Sequence, residues 1–121
     1  YEETSAEMVG HVIEGTIEKN LAAGELEDGD VVVSDNGQFF KTDIPNNKQV
    51  FGVYDAQEKK PAILGAYKIK VRGAVKTGDY LVTSGDPGWA MANNDPRPGT
   101  VIAQALEDGK DRTIKAMIRY F

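Results

Sequence analysis

The sequence predicts an all-β fold, a compact barrel or sandwich of two related β units with short turns and little helix. Three observations carry this. Short apolar runs alternate with a period of two, turn-forming residues separate them at close intervals, and one stretch of the chain is echoed 49 positions later. Successive side chains of a strand point to opposite faces, so alternation marks a strand with one face buried.

Strand patterns lie at Met8–Ile17, Val31–Val33, Gln38–Lys41, Val50–Tyr54, Ala66–Arg72, Tyr80–Thr83, Thr100–Ala105 and Thr113–Tyr120. Between them stand Asp28-Gly29-Asp30, Asp35-Asn36-Gly37, Pro45-Asn46-Asn47, Thr77-Gly78-Asp79, Asp86-Pro87-Gly88 and Asp108-Gly109. These residues tolerate positive φ or preset a turn, which makes them natural strand ends. Helix-forming residues gather only at Glu18–Leu26, and Gly24 interrupts them, so one turn or irregular chain is expected there.

The echo pairs Leu26-Glu27-Asp28-Gly29-Asp30-Val31-Val32-Val33-Ser34 with Val75-Lys76-Thr77-Gly78-Asp79-Tyr80-Leu81-Val82-Thr83. Each copy leads to a glycine turn with aromatics, Gln38-Phe39-Phe40 or Gly88-Trp89. Each continues into an apolar strand and ends on a strand finishing in a basic residue, Arg72 or Arg119. Four elements in the same order predict an internal pseudo-repeat, about 8–73 and 66–121, within a single domain spanning 1–121. Glycine permits the sharp turn, and aspartate can bond a nearby backbone N–H.

A chain of 121 residues has room for one core of ordinary size. With 40% hydrophobic and 27% charged residues it has a globular balance rather than a disordered one. The net charge of −5 disfavours a nucleic-acid partner. No apolar run approaches the roughly 20 residues of a membrane span, so membrane insertion is not expected. Without cysteine there is neither disulfide framework nor thiolate metal site. Tyr1 in first place is expected of a chain processed or trimmed from a longer one.

Candidates for chemistry are few. His11, the single histidine, shares a strand face with Val9 and Ile13, and reads as a packed or interfacial side chain rather than a catalytic base. The acidic groups Glu25, Glu27, Asp28, Asp30 and Glu107, Asp108, Asp111 lack the spacing of a helix-loop-helix calcium site and read as solvated turns. Nothing resembles a phosphate-cradling loop. Neither enzymatic activity, metal nor cofactor is expected.

Binding surfaces are better marked. Lys68, Lys70 and Arg72 alternate with Tyr67, Ile69 and Val71, which sets three positive charges on one face of a strand. That face is either solvated or offered to an acidic partner or anionic glycan. Trp89 follows a turn of type II character and could stack on a sugar or fill a neighbouring subunit's pocket. Phe39 and Phe40 are adjacent on a strand, so one of them should face outward or an interface. With Tyr120 and Phe121 at the end of the chain, they suggest apolar surface for a homo-oligomer, a trimer above all, whose closed symmetry also covers strand edges.

The stretch Lys70 to Ser84, then Pro87-Gly88-Trp89-Ala90-Met91, then Pro98 to Glu107, resembles the C-terminal β domains of tailed-phage virion proteins. These include tail fibres, appendages and virion structural proteins of marine and cyanobacterial phages. The resemblance covers about residues 66–121, and reaches the first half through the echo. It implies a virion location and a fibre, appendage or capsid-decorating role, with other virion proteins and a host surface glycan as partners. Ser5-Ala6-Glu7-Met8 faintly resembles the start of a self-cleaving maturation domain, but departs from it at Met8. A self-cleaving or glycan-cleaving appendage domain, and a cellular carbohydrate-binding or adhesin module, are the alternatives.

Overall fold

The computed structural model describes residues 26–36 and 38–118. Among these residues it is all-β without helix. The strands are β1 (Val31–Asp35), β2 (Gln38–Phe40), β3 (Val50–Asp55), β4 (Lys60–Ala62), β5 (Gly65–Val75), β6 (Tyr80–Thr83), β7 (Ala90–Ala92), β8 (Ala103–Ala105) and β9 (Gly109–Ile118).

The first four strands form a sheet in the order β2-β1-β3-β4, antiparallel throughout, that curls into a half-barrel. The remaining five close a barrel in the order β5-β7-β6-β8-β9. Its longest ladder runs antiparallel between β5 and β9, from Gly65↔Ile118 to Val75↔Gly109, with a register break between Val71 and Ala74. Closure comes from the parallel pairing of β5 with β7 at Val71↔Ala90.

Branched aliphatic side chains on the inward faces of β5, β6 and β9 fill the barrel: Ile69, Val71, Val75, Leu81, Ile114 and Ile118, all almost fully buried. Val31 and Val53 of the first sheet join the same core cluster. The two sheets therefore share apolar contacts as well as the backbone bonds Lys70 N–H to Gly29 O and Val31 N–H to Gly88 O, at 3.0 and 2.8 Å.

The two Gly-Asp turns have the same geometry. Gly29 and Gly78 take φ of 89° and 95°, values that cost a residue with a Cβ appreciable strain. In each, the aspartate N–H bonds back three residues, to Glu27 O or Lys76 O, and one carboxylate oxygen accepts the N–H of that same residue. The exchange with the third strand is matched too. Gly29 and Tyr54 N–H bond to Tyr54 O and Asp30 O, as Gly78 and Ala105 N–H bond to Ala105 O and Asp79 O. Without β5, the barrel order β7-β6-β8-β9 has the form of β2-β1-β3-β4.

Several expectations are corrected. Strands β4 and β7 were not foreseen. β4 carries Pro61 and lies at a sheet edge, where a residue lacking N–H is tolerated, and β7 is Ala-Met-Ala, without β-branched residues. The strand expected from Thr100 begins only at Ala103, and the one expected from Thr113 begins at Gly109. At Asp108-Gly109 the positive φ belongs to Asp111 rather than to the glycine. Phe39 and Phe40 do not divide between inside and outside, since both are buried. Val31, Val32 and Val33 are consecutively buried on β1, next to β2, so both faces are covered at this end of the sheet. The expected strand Met8–Ile17, His11, Glu25, Tyr120 and Phe121 lie outside the described residues.

Candidate functional site

Where the first sheet meets the barrel, three segments converge: the Glu27–Asp30 turn, the outer face of β5, and the Asp86–Trp89 turn. Alternation on β5 puts Ile69 and Val71 in the core and turns Lys68, Lys70 and Arg72 outward, as expected. That face is only partly solvated, because the first sheet covers Lys70.

Asp30 is 1% exposed, with Lys70 Nζ 2.8 Å from its Oδ1 and Lys41 Nζ 3.6 Å from its Oδ2. Glu27 adds a second carboxylate 2.6 Å from Lys70 Nζ. Burial alone would lower the pKa of Lys70, but the contacts to Asp30 and Glu27 outweigh it and hold the ammonium above its usual value. The same hydrogen bond and charge hold Glu27 below the usual carboxylate range. A charge this deeply buried persists because it is compensated on more than one side.

Gly88 shapes the neighbouring turn. Its φ of 86° is the value required at the second central position of a type II turn, as Pro87-Gly88 predicts, and Trp89 N–H closes the turn on Asp86 O at 3.0 Å. A Cβ there would stand 2.6 Å from Asp30 Oδ1 and 2.8 Å from Lys41 Cδ. The buried carboxylate and the glycine backbone thus share one space. Ser84 fastens the turn from below, with Oγ donating to Trp89 O and accepting Asp86 N–H.

Trp89 is half-buried. Arg72 lies over its ring, Cζ 3.9 Å from the centroid, while Lys70 Nζ is 5.7 Å away. The guanidinium is set by Asp86, which accepts from Nε at 2.8 Å, and by Asp111 at 3.8 Å. Lys70, Arg72 and Trp89, singled out as a partner surface, are therefore brought together, and the two cations are joined to carboxylates of their own chain. The arrangement is a charged clamp between two sheets.

Lys68 stands apart. It lines a cleft of about 590 Å³ with Asp28, Asp55, Gln57, Tyr67 and Lys115, between the end of β3 and the barrel. The acidic groups flagged in the sequence hold turns: Asp28 accepts Ala56 N–H, Glu107 accepts Lys115 N–H, and Asp108 takes both N–H and hydroxyl of Thr77. Those bonds from Thr77 hold the Asp108 carboxyl below its usual range. Lys41 and the burial of Asp30 were missed. Asp30 carries the same Gly-Asp signature as Asp79, and nothing local distinguishes the copy that a second sheet covers.

No family model matches the sequence, and no curated protein matches it. Among solved structures, the fold is similar to that of the N base of the head fibre gp8.5 of bacteriophage phi29. The two share 19% identity and a TM-score of 0.51, over 77% of this chain and 84% of that one.

Proposed function

We propose that this chain is a structural domain of a phage virion, a fibre, appendage or capsid-decorating piece that works by assembly rather than catalysis. The observation that carries the reading is the likeness of fold to a head-fibre base, over most of both chains. It agrees with the virion-protein resemblance of Lys70 to Glu107 and favours the head among virion parts. The clamp supports it further: an appendage base must keep its orientation, and the two sheets here are fixed to each other by core, backbone and ion pairs.

Self-association, most simply as a trimer, belongs to the same reading. Ile63 and Leu64 are 57% and 70% exposed side by side at the β4–β5 junction, apolar surface of the sort subunits bury. Attachment to a host surface would use the cleft at Lys68 rather than Trp89, which Arg72 overlies. Glycan-array binding by the wild type, lost in Lys68→Ala, tests that part.

Gold-labelled antibody against the domain, applied to purified particles, tests the main proposal. Label on the particle surface, with the chain present in the particle's mass spectrum, is the expected result. A chain confined to the infected cell and missing from particles would overturn it.

A further inference from the structure

The cleft between the end of β3 and the barrel has one wall from each sheet. Asp28, Asp55 and Gln57 come from the first, and Ala66, Lys68 and Lys115 from the barrel. Its volume of about 590 Å³ falls in the range of roughly 300–1,000 Å³ typical of small-ligand sites, which favour places where two units meet. The walls are fixed to each other by the joint that also carries the clamp. Gly29 O accepts Lys70 N–H at 3.0 Å, and a Cβ on Gly29 would lie 3.4 Å from Lys68 O. The turn bearing Asp28 therefore rests on β5 beside Lys68.

Charge is sorted between the two walls. Lys68 and Lys115 are direct partners in the β5–β9 ladder, and both are exposed. Residues placed this way have Cβ atoms about 4.5–5.5 Å apart, and like charges there repel. Neither ammonium forms an ion pair among the described residues. The aspartates opposite hold their own loop through one oxygen each. Asp28 Oδ1 accepts Ala56 N–H at 3.0 Å, and Asp55 Oδ1 accepts the N–H groups of Gln57 and Glu58 at 3.0 and 3.3 Å. The Oδ2 atom of each accepts no hydrogen bond among the described residues.

We infer that this cleft binds an acidic saccharide, with a sugar carboxylate between Lys68 and Lys115 and sugar hydroxyls donating to Asp28 and Asp55. The two walls together select this class. A carboxylate-bearing ring brings an anion that relieves the repulsion of the paired ammoniums, and several O–H donors for carboxylates that can only accept. A densely sulfated chain would set its further negative charges against the aspartates. A neutral sugar would leave the lysines facing each other. The inference rests on the attachment reading of this cleft and adds the kind of sugar it takes.

Backbone amide shifts of the ¹⁵N-labelled protein, titrated with a short oligogalacturonate, provide the test. The expected result is a saturable change centred on residues 55–57, 66–68 and 115. Its Kd should rise about tenfold or more in Lys68→Gln and in Lys115→Gln, and to a similar degree for the methyl-esterified oligomer, which keeps most of the hydroxyls without the charge. Both lysines are exposed, so an unchanged melting temperature certifies the folding of each variant. Equal affinity for the ester, or tighter binding of dextran sulfate at the same residues, would overturn the inference. Shifts there with a maltooligosaccharide and none with the galacturonate would overturn the acidic class while keeping the cleft as an attachment site. No shift at these residues with any of these probes would overturn both.

Discussion

Gly88 has no side chain where Asp30 has its carboxylate: an added Cβ would lie 2.6 Å from Oδ1. Gly78, with the similar φ of 95°, has nothing within 4 Å of that position. The pair separates two costs of replacing a glycine. Gly78→Ala should lose about 1–2 kcal/mol, the strain of a left-handed backbone alone. Gly88→Ala should lose more, because the ion cluster must also shift. Urea denaturation of the two variants checks the order, and equal losses would contradict the packing at Gly88.

Asp30→Asn should be among the most damaging single changes, because it leaves Lys41 and Lys70 facing each other in a buried place. Removing one partner of a buried ion pair typically costs about 3–5 kcal/mol. A melting temperature within a few degrees of the wild type would show that the two ammoniums relax into solvent.

Lys70 binds its proton more tightly in the folded chain than in the unfolded one. Its contribution is therefore complete below the unfolded pKa of about 10.4 and is lost as pH climbs through the higher folded value. Stability should fall more steeply above pH 10 in the wild type than in Lys70→Met. The comparison isolates Lys70 from the other alkaline groups.

Arg72→Ala removes the cation over Trp89 and two ion pairs that are largely exposed. Such contacts carry about 1 kcal/mol together, far less than the buried aspartate. The clearer readout is the emission of Trp89, the single tryptophan, which should move to the red as water reaches the ring.

The same tryptophan reports on cooperativity, since it sits where the sheets meet. Urea transitions followed by its fluorescence and by far-UV circular dichroism should coincide, because the sheets share a core and an ion cluster. A fluorescence change that comes first would show that the two sheets separate before they unfold.

The all-β class was legible because Tyr67–Arg72 on β5 follows the period of two, and the Gly-Asp turns were legible because their conformational demand is local. Barrel closure was not: the parallel pairing of Val71 with Ala90 depends on residues far apart in sequence. Lys70, Arg72 and Trp89 could be marked as unusual, yet the carboxylates around them, Asp30, Asp86 and Asp111, come from two separate turns and from β9. Nor could Phe39 and Phe40 be placed, because alternation tells which side chains oppose each other and not whether both sides are covered.

The ladder of β5 with β9 has a mechanical consequence. Antiparallel hydrogen bonds lie perpendicular to the strands, so a pull along β5 loads the bonds between Gly65↔Ile118 and Val71↔Arg112 together in shear, instead of opening them one after another. The outward face of that same strand holds the first sheet through Lys70 and Gly29. Tension that pulls Lys70 along β5 is thus shared by the whole ladder with β9.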